Sequence, residues 1–263
     1  MIDELLLEVP DCHGIFDTHA HYDDSRFDRI KDTLLEQLHL KGVTNIITCG
    51  CDLSSSESAI RLAERHDFVY AAVGYHPENL EPEPNLTKLK QLLMHKKVVA
   101  LGEIGLDYHW DIDKGLQHKW FEEQLKLSLE LDIPVIVHDR EAHEDCLKLL
   151  KKYKPKGVMH CFSGSVETAK EILKLGLYIG LGGVVTFKNA RKTVEVAEML
   201  PLDRMLLETD CPYLAPVPFR GKTCHSGHIA FVAERIAQIR GTSTEEILSV
   251  TNNNAKRLFL KQE

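Results

Sequence analysis

Along the chain, short apolar runs rich in β-branched residues alternate with longer stretches in which apolar residues recur every three or four positions. The short runs fall at 14–16, 43–48, 68–73, 98–102, 135–138, 157–160, 178–180 and 204–208. Their apolar residues are continuous rather than alternating, the mark of strands covered on both faces, as in a parallel sheet. The longer stretches read as amphipathic helices. In Lys114–Leu131, for example, Leu116, Trp120, Phe121, Leu125 and Leu129 recur at helical spacing. Eight strand–helix units predict an α/β fold, a (β/α)8 TIM barrel, and the tail 244–261 predicts one or two further C-terminal helices. The rival arrangement, a doubly wound open sheet, calls for a glycine-rich turn after the first strand. Here that turn is Asp17-Thr18-His19-Ala20-His21, which offers metal ligands instead. No repeat, linker or low-complexity block interrupts the pattern, so 1–263 is expected to be a single barrel domain.

In such a barrel the working residues stand at the C-terminal ends of the strands. Polar residues follow the apolar runs in GIFDTHAH, VVALGEIG, PVIVHDR, GVMHCFSG and RMLLETDCP. The candidates are His19 and His21 after the first strand, Glu103 after the fourth, His138 after the fifth, His160 after the sixth and Asp210 after the eighth. A two-residue spacing on extended backbone sends both side chains the same way, so His19 and His21 can hold one ion together. Taken singly, each histidine is more often a hydrogen-bonded core residue, and each acid more often a helix cap. Six ligand-type residues ending five of eight strands point instead to a joint site. Buried acids are seldom tolerated unless paired or metal-bound. Imidazoles with carboxylates suit divalent metal ions, and a shared carboxylate allows two; zinc, manganese, magnesium and nickel are not distinguished by the pattern.

Around this set lie candidate substrate contacts. His76 ends the third strand in Gly74-Tyr75-His76-Pro77, and Arg140 follows His138 by two residues. Ser163-Gly164-Ser165 after the sixth strand can offer backbone N–H groups to an anion or simply cap the next helix. Lys188, Arg191 and Lys192, with Arg220 and Lys222, make the local excess of positive charge on mouth-side loops. Cys161, Cys211 and Cys224 are read as small packing residues beside harder ligands. His13, His39, His66, His95, His118 and His143 receive no role.

Composition narrows the choices. With 43% hydrophobic and 27% charged residues, the chain is not disordered by composition. A net charge of -8 excludes delivery to nucleic acid or membrane by bulk positive charge, so a polyanionic substrate needs a local patch. Seven cysteines at irregular spacing without a CxxC pair argue against a disulfide framework and for a reducing compartment. MIDELLLEVPD does not read as a leader, and no apolar stretch reaches the length of a membrane span. The expectation is a cytoplasmic protein without a membrane partner, a monomer or weak oligomer.

The phrases FDTHAH, ALGEIGLDY, PVIVHDR, GVMHCFSG, TFK, LLETDCPYLAP and RGK resemble the TatD family of metal-dependent deoxyribonucleases, within the amidohydrolase-like barrels. The resemblance runs from about Phe16 to Phe259 with the motifs in family order. It implies a divalent-metal-dependent hydrolase acting on DNA or another phosphodiester, with His19, His21, Glu103, His138, His160 and Asp210 as ligands and Glu103 bridging two ions. One ion would then rest on His19, His21, Glu103 and Asp210, the other on Glu103, His138 and His160. Catalysis would fall to Glu103 and Asp210, the latter moving a proton of the attacking water. Arg140 and the 188–192 and 220–222 loops would hold flanking phosphates. The chain departs from the family where Arg220-Gly221-Lys222 continues into Thr223-Cys224-His225 rather than an asparagine and proline, and where Tyr75 replaces a cysteine. Both changes touch substrate range and not the ligands. Two alternatives remain beside it: hydrolysis of a small ester, lactone or cyclic amide, and a metal-binding barrel without catalysis.

Overall fold

Every apolar run of the sequence is a strand. In the computed structural model, which describes residues 12–80 and 82–260, they are β1 (Ile15–Ala20), β2 (Val43–Cys49), β3 (Val69–Val73), β4 (Val98–Asp107), β5 (Val135–Arg140), β6 (Gly157–Met159), β7 (Tyr178–Leu181) and β8 (Met205–Leu207). The segment 1–11, expected to carry no leader, lies outside the described residues, as does Lys261 at the end of the expected tail. The strands form one parallel eight-stranded sheet in chain order. The sheet curls until its edges meet. The Thr18 hydroxyl donates to the Leu207 carbonyl (3.0 Å), the Asp210 amide to His19 (3.0 Å) and the His21 amide to Cys211 (2.8 Å). The result is a nearly closed TIM barrel.

One helix follows each strand: α1 (Lys31–Leu40), α2 (Leu53–Arg65), α3 (Leu86–Leu93), α4 (Lys114–Leu131), α5 (His143–Tyr153), α6 (Val166–Lys174), α7 (Arg191–Met199) and α8 (Ile229–Arg240), with α9 (Thr244–Phe259) in addition. Short polar side chains start several of them by satisfying amides that have no partner within the helix. Asp52 accepts from the Ser55 amide at 2.7 Å, Asp113 from Leu116 at 2.6 Å and Ser165 from Thr168 at 3.3 Å. The helices bury their apolar sides against the outside of the barrel. Inside, Phe16, Ile47, Ala72, Ala100, Ile136, Val158, Tyr178 and Leu206, with Cys49 as a second residue of β2, bring every strand into a separate core layer. Ala255 and Phe259 of α9 enter the same layer from below, so the barrel has a floor in which no residue is more than 5% exposed.

That layer sets which residues above it face inward. In β5, β6 and β8 the steps from Ile136 to His138, Val158 to His160, and Leu206 to Glu208 and Asp210 are even, and period-two alternation carries these side chains into the mouth. In β1 and β4 the steps from Phe16 to His19 and from Ala100 to Glu103 are odd, which on regular strands would put them on opposite faces. The ladders are irregular at those two places, between Asp17 and Ala20 and between Leu101 and Ile104. The local slip turns His19 and Glu103 inward, the re-aiming that a bulge performs. Some strand ends also differ from expectation. His19, Glu103 and His138 lie within β1, β4 and β5 rather than after them, because hydrogen-bonded backbone continues past the apolar run.

Candidate metal centre

Glu103 stands at the centre, 3% exposed. Its Oε2 is 3.2 Å from His19 Nε2 and 3.6 Å from His21 Nε2. Its Oε1 is 2.6 Å from His160 Nε2 and 2.7 Å from His138 Nδ1. Asp210 Oδ1 completes the first group, 3.4 Å from His21 and 3.7 Å from His19. Donor atoms on one tetrahedral ion with bonds of about 2.0–2.2 Å lie roughly 3.3–3.6 Å apart. The spacings around His19, His21 and Asp210 are close to that range, whereas His138 and His160 sit at direct hydrogen-bond distance from Glu103. The four histidines and two acids proposed from sequence are brought together as groups that could hold a metal ion. Asp210 itself holds a left-handed backbone (φ 57°), a conformation aspartate tolerates better than most residues.

Hydrogen bonds behind the histidines fix which nitrogen carries the proton. His21 Nδ1 lies 3.1 Å from the Cys49 carbonyl and must donate to it, leaving the Nε2 lone pair free to face Glu103 and Asp210. His138 Nε2 lies 2.9 Å from the Asp107 carboxylate, leaving Nδ1 for the centre. His76 has the opposite arrangement. Its Nδ1 accepts the Glu78 amide at 3.2 Å, and burial pushes its pKa down, so the neutral ring keeps its proton on Nε2. That N–H points toward Glu103 Oε1, 3.5 Å away. His76 thus turns Nε2 into the site, where it groups with Glu103 and His138.

Electrostatics agree with the geometry. Burial alone would raise the Glu103 carboxyl, but His160, His19 and His76 hold it well below the ordinary carboxylate range. Burial would likewise suppress the charge on His138, yet its hydrogen bonds to Asp107 and Glu103 push it up to about 10. The negative potential that keeps a proton there is the potential a cation would feel. Asp107 and Glu208 are the functional candidates that sequence reasoning missed. Glu208 is pushed up to about 8 by burial, accepts the Cys161 amide and lies 3.7 Å from His160 Nδ1. Gly180 makes room for it, since a Cβ there would strike its carboxylate. The signal for both was parity: Asp107 lies four residues beyond Glu103 and Glu208 two before Asp210, on the same strand faces.

The sequence profile of the family described as TatD related DNase matches residues 16–260. The chain belongs to the TatD family. TatD relatives cover nearly all of it. The uncharacterized metal-dependent hydrolase YabD of Bacillus subtilis is 44% identical, over 93% of this chain and 98% of that one. A protein of Cronobacter sakazakii named 3'-5' ssDNA/RNA exonuclease TatD is 34% identical, over 94% of this chain and 98% of its own. Among solved structures, the TatD homologue YjjV of Escherichia coli superposes with a TM-score of 0.88 at 35% identity, covering 94% of this chain and 98% of that one. This TatD chain is accordingly a metal-dependent hydrolase.

Above the TatD centre opens a cavity of about 710 Å³. His76, Arg140 and Ser163, three of the expected substrate contacts, line it. Arg220 and Lys222 do not. The Arg220 guanidinium sits 3.8 Å from the centre of the Phe187 ring and the Lys222 ammonium 5.6 Å from Phe219, whose burial anchors this loop against α8 instead of the mouth. Arg191 is paired with Glu195 at 2.9 Å, and Lys188 and Lys192 are not among the lining residues. Ser165 takes the capping role foreseen for the loop after β6. A groove of about 1500 Å³ under the barrel floor, past Arg257 and Phe259, is remote from all these residues. The seven cysteines are free thiols, and burial raises the pKa of Cys49, Cys51 and Cys161 near the centre, which keeps them protonated. His39, His66, His95, His118 and His143 bond to Val43, Asp32, Glu64, Tyr108 and Asp139, away from the centre. Among the described residues no helix is long and apolar enough to cross a membrane.

Proposed function

We propose that this chain is a deoxyribonuclease that hydrolyses phosphodiester bonds at a pair of divalent ions sharing Glu103. The observation that carries the reading is the division of Glu103, whose two oxygens face separate histidine groups, His19 with His21 and His138 with His160. His19, His21 and Asp210 would hold one ion with Glu103, and His138 and His160 the other. Such ions, when bound, supply Lewis-acid activation of water and neutralise charge on the phosphoryl group. The chain's own residues do the rest. Asp210 lines the cavity, its side chain 20% exposed, and burial of its carboxyl is outweighed by the His21 hydrogen bond, so it stays ionised. It can take a proton from the attacking water and pass it to the leaving oxygen. The Nε2–H of His76, which faces Glu103 and the cavity, would be offered to a phosphoryl oxygen, and Arg140 on the cavity wall to a flanking phosphate. The name of the Cronobacter sakazakii relative supports a nucleic-acid substrate.

One observation favours a second reading, hydrolysis of a small ester or lactone. Among the described residues, Arg140 is the only arginine or lysine on the cavity wall, set against Asp23, Asp24, Glu78 and Asp139. The two are separated by offering the purified, metal-supplemented protein a single-stranded oligodeoxynucleotide, bis-nitrophenyl phosphate and a lactone, each with and without chelator. The nuclease reading expects chelator-sensitive cleavage of the oligonucleotide. Lactone turnover without cleavage of either phosphodiester would overturn it.

A further inference from the structure

All tyrosines, phenylalanines and tryptophans of the chain lie among the described residues, and only two of them are exposed: Trp110 at 47% and Tyr213 at 49%. Both line the cavity above Glu103. A ring left half in water forgoes much of the burial that makes aromatic side chains stabilising, so two such rings at one mouth call for a reason. We propose that Trp110 and Tyr213 are stacking platforms for the bases on either side of the scissile phosphate in a single-stranded nucleic acid. The proposal rests on the phosphodiesterase reading above and specifies how that site would recognise its polymer.

The placement fits. Trp110 lies on the loop between β4 and α4, beyond Glu103 on the same strand. Tyr213 follows Asp210, and its amide donates to the Asp210 carbonyl at 3.0 Å. β4 and β8 stand half a turn apart in a barrel whose order is β1 to β8. A strand laid from one ring to the other therefore crosses the metal centre. Each ring also has a guanidinium and polar neighbours beside it. Arg26 lies 4.4 Å from the centre of the Tyr213 ring and is itself fixed by two bonds of 2.9 Å to Asp24. The Tyr213 hydroxyl donates to Asp24 at 3.5 Å. Arg140 lies 5.9 Å from the Trp110 ring centre, and His109 meets that ring edge-on at 5.0 Å. With a guanidinium over one side, each ring offers its remaining surface to a base. Stacking of this kind tolerates any base, because every base has a π-face. It requires an unpaired strand, since bases inside a duplex already stack on one another. It also supplies recognition that the wall's scarce positive charge does not.

The test uses full-length, manganese-loaded protein and two oligodeoxynucleotides of equal length, one intact and one with abasic residues around the cleaved position. In the wild type the abasic strand should show a KM about tenfold or more higher than the intact strand. In Trp110→Ala and Tyr213→Ala that ratio should fall toward one, chiefly through a higher KM on the intact strand. Trp110→Phe and Tyr213→Phe should restore the ratio. Because Trp120 is buried, quenching of tryptophan fluorescence by the intact strand reports on Trp110. Equal KM values for both strands in the wild type, or an unchanged ratio in the alanine variants, would overturn the platforms while leaving the nuclease reading in place. A wild type that neither binds nor cuts either strand would overturn both.

Discussion

Glutamine has the shape of glutamate, but it presents one acceptor and one donor where the carboxylate presents two acceptors. At position 103 that difference matters on two sides at once, because each oxygen faces its own pair of imidazoles. Asp107 acts one step further out, through His138 Nε2 at 2.9 Å. Partners of this outer kind usually change metal affinity or activity about 10–100-fold when removed. Asp107→Asn is expected to fall in that range, and Glu103→Gln below it, as read by turnover and bound metal in the same preparations. Wild-type turnover and metal content in Glu103→Gln would contradict the shared position. A residue outside the proposed ligands sets a pH limit. His228 is stacked between His225 (3.9 Å) and Phe219 (4.6 Å), and burial, with help from His225 and Lys222, pushes its pKa down to about 2. In the unfolded chain it titrates near 6.5. The folded state thus binds this proton far less readily, so stability is complete above about pH 6.5 and declines by up to about 1.4 kcal/mol per pH unit below it. His228→Phe keeps the stack and removes the proton site. Its loss of stability between pH 7 and pH 4, followed by denaturant unfolding, should be smaller than that of the wild type.

Among the elements, α9 does what no barrel strand can. It carries Phe259 into the floor layer against Phe16, Ile136 and Tyr178. Phe259→Ala should destabilise the protein by about 3–5 kcal/mol, measured by denaturant unfolding, because the rigid ring of strands cannot collapse into the space left. A loss below 1 kcal/mol would mean the helix only rests against the barrel. The helical pattern of the tail did not show its place under the barrel. The strand cores were legible in the sequence because burial on both faces leaves continuous apolar runs. The strand ends were not, because there polar residues continue the ladder. Closing the fourth run at Gly102 hid Asp107, which shares a face with Glu103. The slips in β1 and β4 were invisible too, since they exist only relative to neighbouring strands. Residues directly after an apolar run stand together around Glu103; Arg220, positioned by the tertiary folding of its loop on Phe187, lies off the cavity wall, which no local pattern shows.

For the molecule as a whole, the closed floor means that the mouth is the way in and out among the described residues. His19 is fully buried and Glu103 nearly so, while the rim residues Trp110 and Tyr213 are half exposed. Anything bound at depth sits beneath anything bound at the rim. The chamber behaves as a stack with a single opening, where the last occupant to enter is the first to leave. On the proposed nuclease reading, ions must load before a polymer covers them, and they cannot leave while it stays. Stripping of metal by a chelator, followed by stopped-flow with a metal indicator, should slow several-fold when the protein is saturated with a non-hydrolysable oligonucleotide. Equal stripping rates with and without the oligonucleotide would mean the ions have a second exit, and the order of assembly would then be free.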